Sequence, residues 1–148
     1  MKNIAVAIDF GPLTERLLAQ AEVLAKGREC KVWLLHVAAP DPDFVGFSPG
    51  PGSVREYRAK ILREEHRQIQ AYAATLKEKG VESEGLLLQG KVIDTLLEEA
   101  EDVEAELLII GASDHGWFFE KLIGNTWPAL IRQSKIPLLV IPDNLSDQ

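Results

Sequence analysis

Glu106-Leu107-Leu108-Ile109-Ile110-Gly111, followed by a loop through Asp114, His115 and Gly116, then Gly124-Asn125-Thr126 and Pro137-Leu138-Leu139-Val140-Ile141, is the stretch that decides the fold. Its first run is apolar at four successive positions, as in a strand buried on both faces, and it stops at a glycine. Gly124-Asn125-Thr126 opens a helix, and a second apolar strand closes the unit. A strand that feeds a glycine-bearing turn and a helix amino terminus is how an open α/β sheet holds an anion, because unpaired N–H groups and the helix dipole converge there. Phosphate is the expected ligand chemistry. Asn125 reads as the helix cap, and Pro128 fits the first turn, where its missing N–H is no loss.

Upstream, the same alternation recurs. Ile4 to Ile8 is a short aliphatic strand that ends at Asp9, and from Pro12 the spacing turns helical, with Leu13, Leu17, Leu18, Ala21, Leu24 and Ala25 on one stripe and Gly27 as terminator. Cys30 to Val37 is the second strand. His36 inside it reads as a strand-end histidine bonded to backbone, since no carboxylate or nucleophile stands near it in sequence. Ala38 to Gly52 carries four prolines and three glycines and is expected to be a long loop. Its Phe44, Val45 and Phe47 are suited to cover a ligand, meet a partner or anchor the loop. Ser53 and Glu56 form a capping box for a helix with Val54, Tyr57, Ile61, Ile69, Tyr72, Ala73 and Leu76 on its apolar side, ended by Gly80. Glu84 to Gln89 is the third strand, and Gly90 turns it into a helix with Ile93, Leu96, Leu97 and Ala100 on one face. Five apolar strands separated by four helices imply an α/β fold: an open parallel sheet with right-handed crossovers and helices on both faces. Asp9, Val37 and Gly111 all fall at carboxyl ends, where such sheets bind ligands.

Composition narrows the function. The chain has 148 residues, enough for a single domain (1–148) with a proper core. Sixteen basic against 23 acidic residues give a net charge of −7, which argues against non-specific nucleic-acid or anionic-membrane binding. The chain enters strand-like sequence directly after Met1-Lys2-Asn3, and no apolar run is long enough to span a bilayer, so a cytoplasmic location is expected. The lone Cys30 reads as a small core residue.

Enzymatic chemistry finds little support. Asp114-His115 places an acid beside a histidine, but neighbours in a chain rarely point at each other, and neither a nucleophile elbow nor metal-ligand spacing is present. At most, slow hydrolysis of a bound phosphate compound is expected, with no catalytic residue assigned. Trp117, Phe118 and Phe119 read as a core or interface cluster, because a base-stacking platform needs a basic groove.

Taken together, Ile4-Ala5-Val6-Ala7-Ile8-Asp9, Leu35-His36-Val37, Gly90 before a helix, Leu108-Ile109-Ile110-Gly111 and Gly124-Asn125 resemble the universal stress protein family over essentially the whole chain. The fold also resembles ATP pyrophosphatases and electron-transfer flavoproteins, but the Ser-Gly-Gly loop of the former is replaced here by Phe10-Gly11-Pro12. The family resemblance implies a Rossmann-like nucleotide-binding sheet of order 3-2-1-4-5 and an adenine nucleotide (ATP, ADP or AMP) as ligand. The implied binding set is Asp9, Phe10, Val37, Gly111, Ala112, Asp114, His115, Gly124, Asn125 and Thr126. Asp9 and Val37 would flank the adenine, Gly111 would pass close to the ribose, and the loop from Asp114 to Thr126 would wrap the phosphates.

One position departs from the family's Gly-x-x-Gly, nine residues, Gly signature: the second glycine is Asp114. A carboxylate about 5 Å from a phosphate charge costs roughly 3 kcal/mol at an effective dielectric near 20. A Mg²⁺ ion between them would reverse that sign. The expected function is a stress-response regulator with an altered phosphate end. The alternative is a nucleotide-independent, dimeric interaction protein of the same family. The resemblance also makes Leu138–Ile141 an edge strand, and a homodimer through it is expected because an apolar edge is rarely left uncovered.

Overall fold

A computed structural model of the chain describes residues 1–38, 52–112 and 126–142, with side chains except at 52–54 and 126–128. Among them, strands and helices alternate: β1 (Asn3–Ala7), α1 (Thr14–Ala25), β2 (Lys31–Ala38), α2 (Gly52–Glu78), β3 (Ser83–Gln89), α3 (Val92–Asp102), β4 (Leu107–Ala112), α4 (Thr126–Gln133) and β5 (Leu138–Pro142). The strands form one parallel sheet of order β3-β2-β1-β4-β5, as the family resemblance implies.

The unbroken apolarity of the central strands follows from two cores, one on each face. Ile4, Val6, Ile8 and Leu34 pack with Leu17 and Ala21 of α1 and Ile69 and Ala73 of α2. Ala5, Ala7, Leu35, Val37, Leu108 and Ile110 face the other way, with Leu96 and Ala100 of α3 and Leu130 of α4. Successive side chains alternate between the faces, so each residue from Ile4 to Ala7 of β1 is committed to one core or the other.

α2 differs from its sequence reading in two ways. It begins at Gly52, one residue ahead of the expected start at Ser53. The apolar stripe is also buried only in its second half: Ile69, Ala73 and Leu76 are buried, whereas Tyr57 is 66% and Ile61 41% exposed. Length explains this. Twenty-seven helical residues span about 40 Å, against about 23 Å for the seven residues of β3. The first turns therefore run past the sheet.

The far end of α2 behaves as read. Gly80, at φ 87°, donates to the Lys77 carbonyl, and Val81 donates back to Leu76, which satisfies two terminal carbonyls and buries Val81 against Leu76. Cys30 is buried, and burial pushes its thiol up. Expectations for the 39–51 loop (Phe44, Val45, Phe47), for Asp114, His115, Trp117, Phe118, Phe119, Gly124 and Asn125, and for the side chains of Thr126 and Trp127 lie outside the described residues.

Candidate functional site

The strand order places β1 between β2 and β4. The chain leaves β1 toward β2 through α1 and returns on the other side at β4, so the order reverses beside β1, where open α/β sheets bind ligands. Asp9 and Phe10 follow β1, Val37 is the next-to-last residue of β2, and Gly111 and Ala112 end β4. Five residues of the expected set thus share the carboxyl edge of three adjacent strands. At roughly 4.8 Å per strand, Val37 and Gly111 stand about 10 Å apart across that edge.

Strand geometry shows what faces the gap. Ile8 N–H donates to the Leu35 carbonyl at 2.8 Å, and backbone groups two residues apart on a strand point to the same side. Those of Val37 therefore point toward β1, where β1 turns away. The Val37 side chain is fully buried in the opposite core, so only its backbone is available to a ligand.

The turn after β1 is held by its own side chains. Asp9 Oδ1 accepts the Gly11 N–H at 2.8 Å, an Asx turn, which leaves Oδ2 as the carboxylate's outer acceptor. Phe10 takes a left-handed backbone, φ 59°, uncommon for a bulky residue. Its ring lies 4.5 Å from that of His36 and 6.2 Å from that of Tyr72 of α2. Phe10 therefore packs inward, into the α1/α2 core, and bears on the site through the backbone it fixes.

Gly111 has a structural reason of its own. A Cβ there would come 3.1 Å from Leu13 Cδ1, so α1 crosses β4 at close range over this glycine. Next to the turn, Thr14 is 3% exposed, and its Oγ1 is a buried side-chain oxygen without a partner among the described residues, a group that costs about 1 to 3 kcal/mol unless something satisfies it. Leu13, ahead of it, gives α1 no side-chain cap.

Sequence reasoning missed one member of this region. His36, 2% exposed, is bonded to backbone as read, with Nδ1 2.7 Å from the Ile8 carbonyl, but its Nε2 also lies 3.2 Å from Glu65 Oε2 of α2. Glu65 is 29 residues away, and no sequence period reports which turn of a long helix will cross a given strand.

A cavity of about 550 Å³ lies elsewhere, between α3 and the turn before β5, lined by Leu97, Ala100 and Ile136 with Asp94, Glu98, Glu101 and Lys135 around it. It sits toward the amino ends of β4 and β5, away from the carboxyl edge. Among the described residues no group of histidine, cysteine and carboxylates is placed to hold a metal, and no helix is long and apolar enough to cross a membrane.

Comparison with known proteins agrees with the architecture. The universal stress protein of Thermus aquaticus described as lying in the QAH/OAS sulfhydrylase 3' region is 26% identical over 141 residues, 95% of this chain and 98% of its own length. Among solved structures, the hypothetical protein MJ0577 superposes with a TM-score of 0.78 at 23% identity, covering 97% of each chain. A universal stress protein in complex with cAMP (TM-score 0.61, 22% identity) covers 95% of this chain and 96% of its own. The universal stress protein of Archaeoglobus fulgidus in complex with dAMP (TM-score 0.61, 21% identity) covers 95% and 98%. These likenesses establish the fold. The family model for universal stress proteins matches residues 1–142, and the chain belongs to that family.

Proposed function

We propose that this stress-response protein is a cytosolic regulator that binds an adenine nucleotide at the carboxyl edge of β1, β2 and β4. One observation carries the reading: Asp9, Val37 and Gly111 lie at the carboxyl edge of three adjacent strands, beside the reversal of strand order. The complexes of two proteins of the same fold with cAMP and dAMP support adenine as the base. Asp9 Oδ2 suits the exocyclic amine, and the Val37 backbone suits the ring edge. The ribose lies by Gly111 and Ala112, and the phosphates lie toward Asp114, His115, Gly124, Asn125 and Thr126. Asp114 weakens triphosphate binding, unless Mg²⁺ bridges it to the phosphates. No turnover beyond slow ATP hydrolysis is assigned. The working form is a homodimer joined through Leu138–Ile141, in keeping with the position of β5 at the sheet edge and the 42% exposure of Val140.

Asp114 in a glycine's place favours a second reading, a nucleotide-independent dimer that acts through protein contacts alone. The small-molecule content of protein purified without added nucleotide separates the two. Denaturation and mass analysis should release AMP, ADP or ATP. Protein that releases none, and takes up none when each is supplied, would leave the second reading.

A further inference from the structure

The cavity between α3 and the turn before β5 lies apart from the carboxyl edge, and its lining is of a different kind. At about 550 Å³ it falls within the roughly 300 to 1,000 Å³ typical of small-molecule sites. Its floor is apolar: Leu97 and Ala100 of α3 meet Ile136, with Ala100 buried and the other two half-buried. Its walls carry Asp94, Glu98, Glu101 and Glu104, and Lys135 is the single cation among the described residues that line it. That cation does not neutralise the walls. Lys135 Nζ stands 3.9 Å from Glu101 Oε1 with both side chains mostly exposed, a long and solvated pair.

The helix adds to the negative charge. The carbonyl end of α3 is where the macrodipole favours a cation, yet its last turn holds no basic residue, and Glu98, Glu99, Glu101 and Asp102 crowd there. Burial, then Asp102 and Glu98, hold the Glu99 carboxyl above its usual range, in line with that surplus.

A point cation does not answer this arrangement. Among the described residues no group of histidine, cysteine and carboxylates is placed to hold a metal, and the four acids of the walls are strung along α3 rather than gathered. Along the helix axis Asp94 and Glu98 are about 6 Å apart, and Glu98 and Glu101 about 4.5 Å. Two amines separated by about three or four methylenes stand about 5 to 6 Å apart. The methylenes between them need apolar surface, which Leu97, Ala100 and Ile136 supply. We propose that this cavity binds an aliphatic polyamine, whose ammonium groups pair with Asp94, Glu98 and Glu101 while its methylene stem lies on Leu97 and Ile136. The site is separate from the nucleotide pocket and does not rest on that reading.

The experiment titrates spermidine, a triamine of that spacing, into the full chain calorimetrically at constant ionic strength, with amide shifts followed by NMR. Binding should move the amides from Leu97 to Glu104 and from Ser134 to Ile136 and leave those of Phe10 and Gly11 in place. No binding, or shifts spread over acidic residues of the whole surface, overturns the proposal. Mg²⁺ at the same ionic strength should not displace spermidine; displacement means a diffuse cation atmosphere around a chain of charge −7 and overturns it. Glu98→Gln with Glu101→Gln should weaken binding about tenfold, the upper end for two solvated ion pairs. Glu29→Gln with Glu82→Gln removes the same charge from exposed positions ahead of β2 and β3 and should leave affinity unchanged. Equal losses in the two double variants overturn the proposal. Leu97→Ala trims the floor without altering charge and should weaken binding severalfold; a folded variant with parent affinity overturns the stem contact, and the shifts of the parent protein decide if that variant does not fold. A lysine-rich peptide that moves the same amides and binds more tightly than spermidine would assign the groove to a protein partner and overturn the ligand class.

Discussion

The two edges of the sheet are finished in opposite ways. β3 is closed by its own chain: Ser83 Oγ donates to the Ala73 carbonyl at 2.6 Å, and Gln70 Nε2 donates to the Gly85 carbonyl at 2.7 Å. α2 also lies so close that a Cβ on Gly85 would sit 2.8 Å from the Ile69 carbonyl oxygen. β5 has β4 on one side and carries no charge, with Leu138 and Leu139 half-buried and Val140 exposed. An edge of that composition is a template for another strand. The prolines at 137 and 142 limit pairing to a short segment, which suits a two-fold contact with a second copy. The contrast indicates that a helix protects one edge, and that the longest helix of this chain lies on one side only.

Gly85→Ala should break the closed edge most severely. The new methyl meets backbone, which cannot rotate aside, and a loss of about 2 to 3 kcal/mol in urea unfolding is expected. Parent-like stability would mean that α2 does not grip β3 so closely. Val140→Lys addresses the open edge: ultracentrifugation at micromolar concentration should show a dimeric parent and a largely monomeric variant. A monomeric parent, or a folded variant as dimeric as the parent, removes the contrast.

Ser83→Ala deletes one buried hydrogen bond of the closed edge and should cost about 1 kcal/mol without altering assembly. The smallest effect is expected at Glu99 on α3, away from either edge. Burial, then Asp102 and Glu98, hold its carboxyl above the usual range. A carboxyl raised in the folded state favours folding when protonated, so that contribution is complete at acid pH and is lost as pH rises through the raised value. Permanently neutral Glu99→Gln should be slightly more stable than the parent at neutral pH, with the gap closing toward about pH 4. An opposite sign would mean that the Glu99 charge is stabilised by its surroundings.

The sequence carried the element order and the carboxyl-edge placement of Asp9, Val37 and Gly111, because strands buried on both faces leave a continuous apolar signal and Gly80 punctuates α2 at the residue expected. Local pattern was blind where the deciding contact is long-range. The Tyr57 and Ile61 stripe looked buried because periodicity reports a face, whereas the length of the sheet decides how much of that face is covered. Phe10 was expected at the ligand and instead supports the turn from within, a consequence of its left-handed backbone and the ring of His36. Gly111 read as a ligand-facing glycine and also lets α1 pass.

The central claim is an adenine pocket at the carboxyl edge whose phosphate end is weakened by Asp114. Calorimetric titration of ATP into the parent protein and into Asp114→Gly tests it most directly. Removal of a charge worth about 1.5 to 3 kcal/mol after screening should tighten ATP binding on the order of tenfold to a hundredfold. Equal affinities, tighter binding by the parent, or no binding by either form would contradict the account.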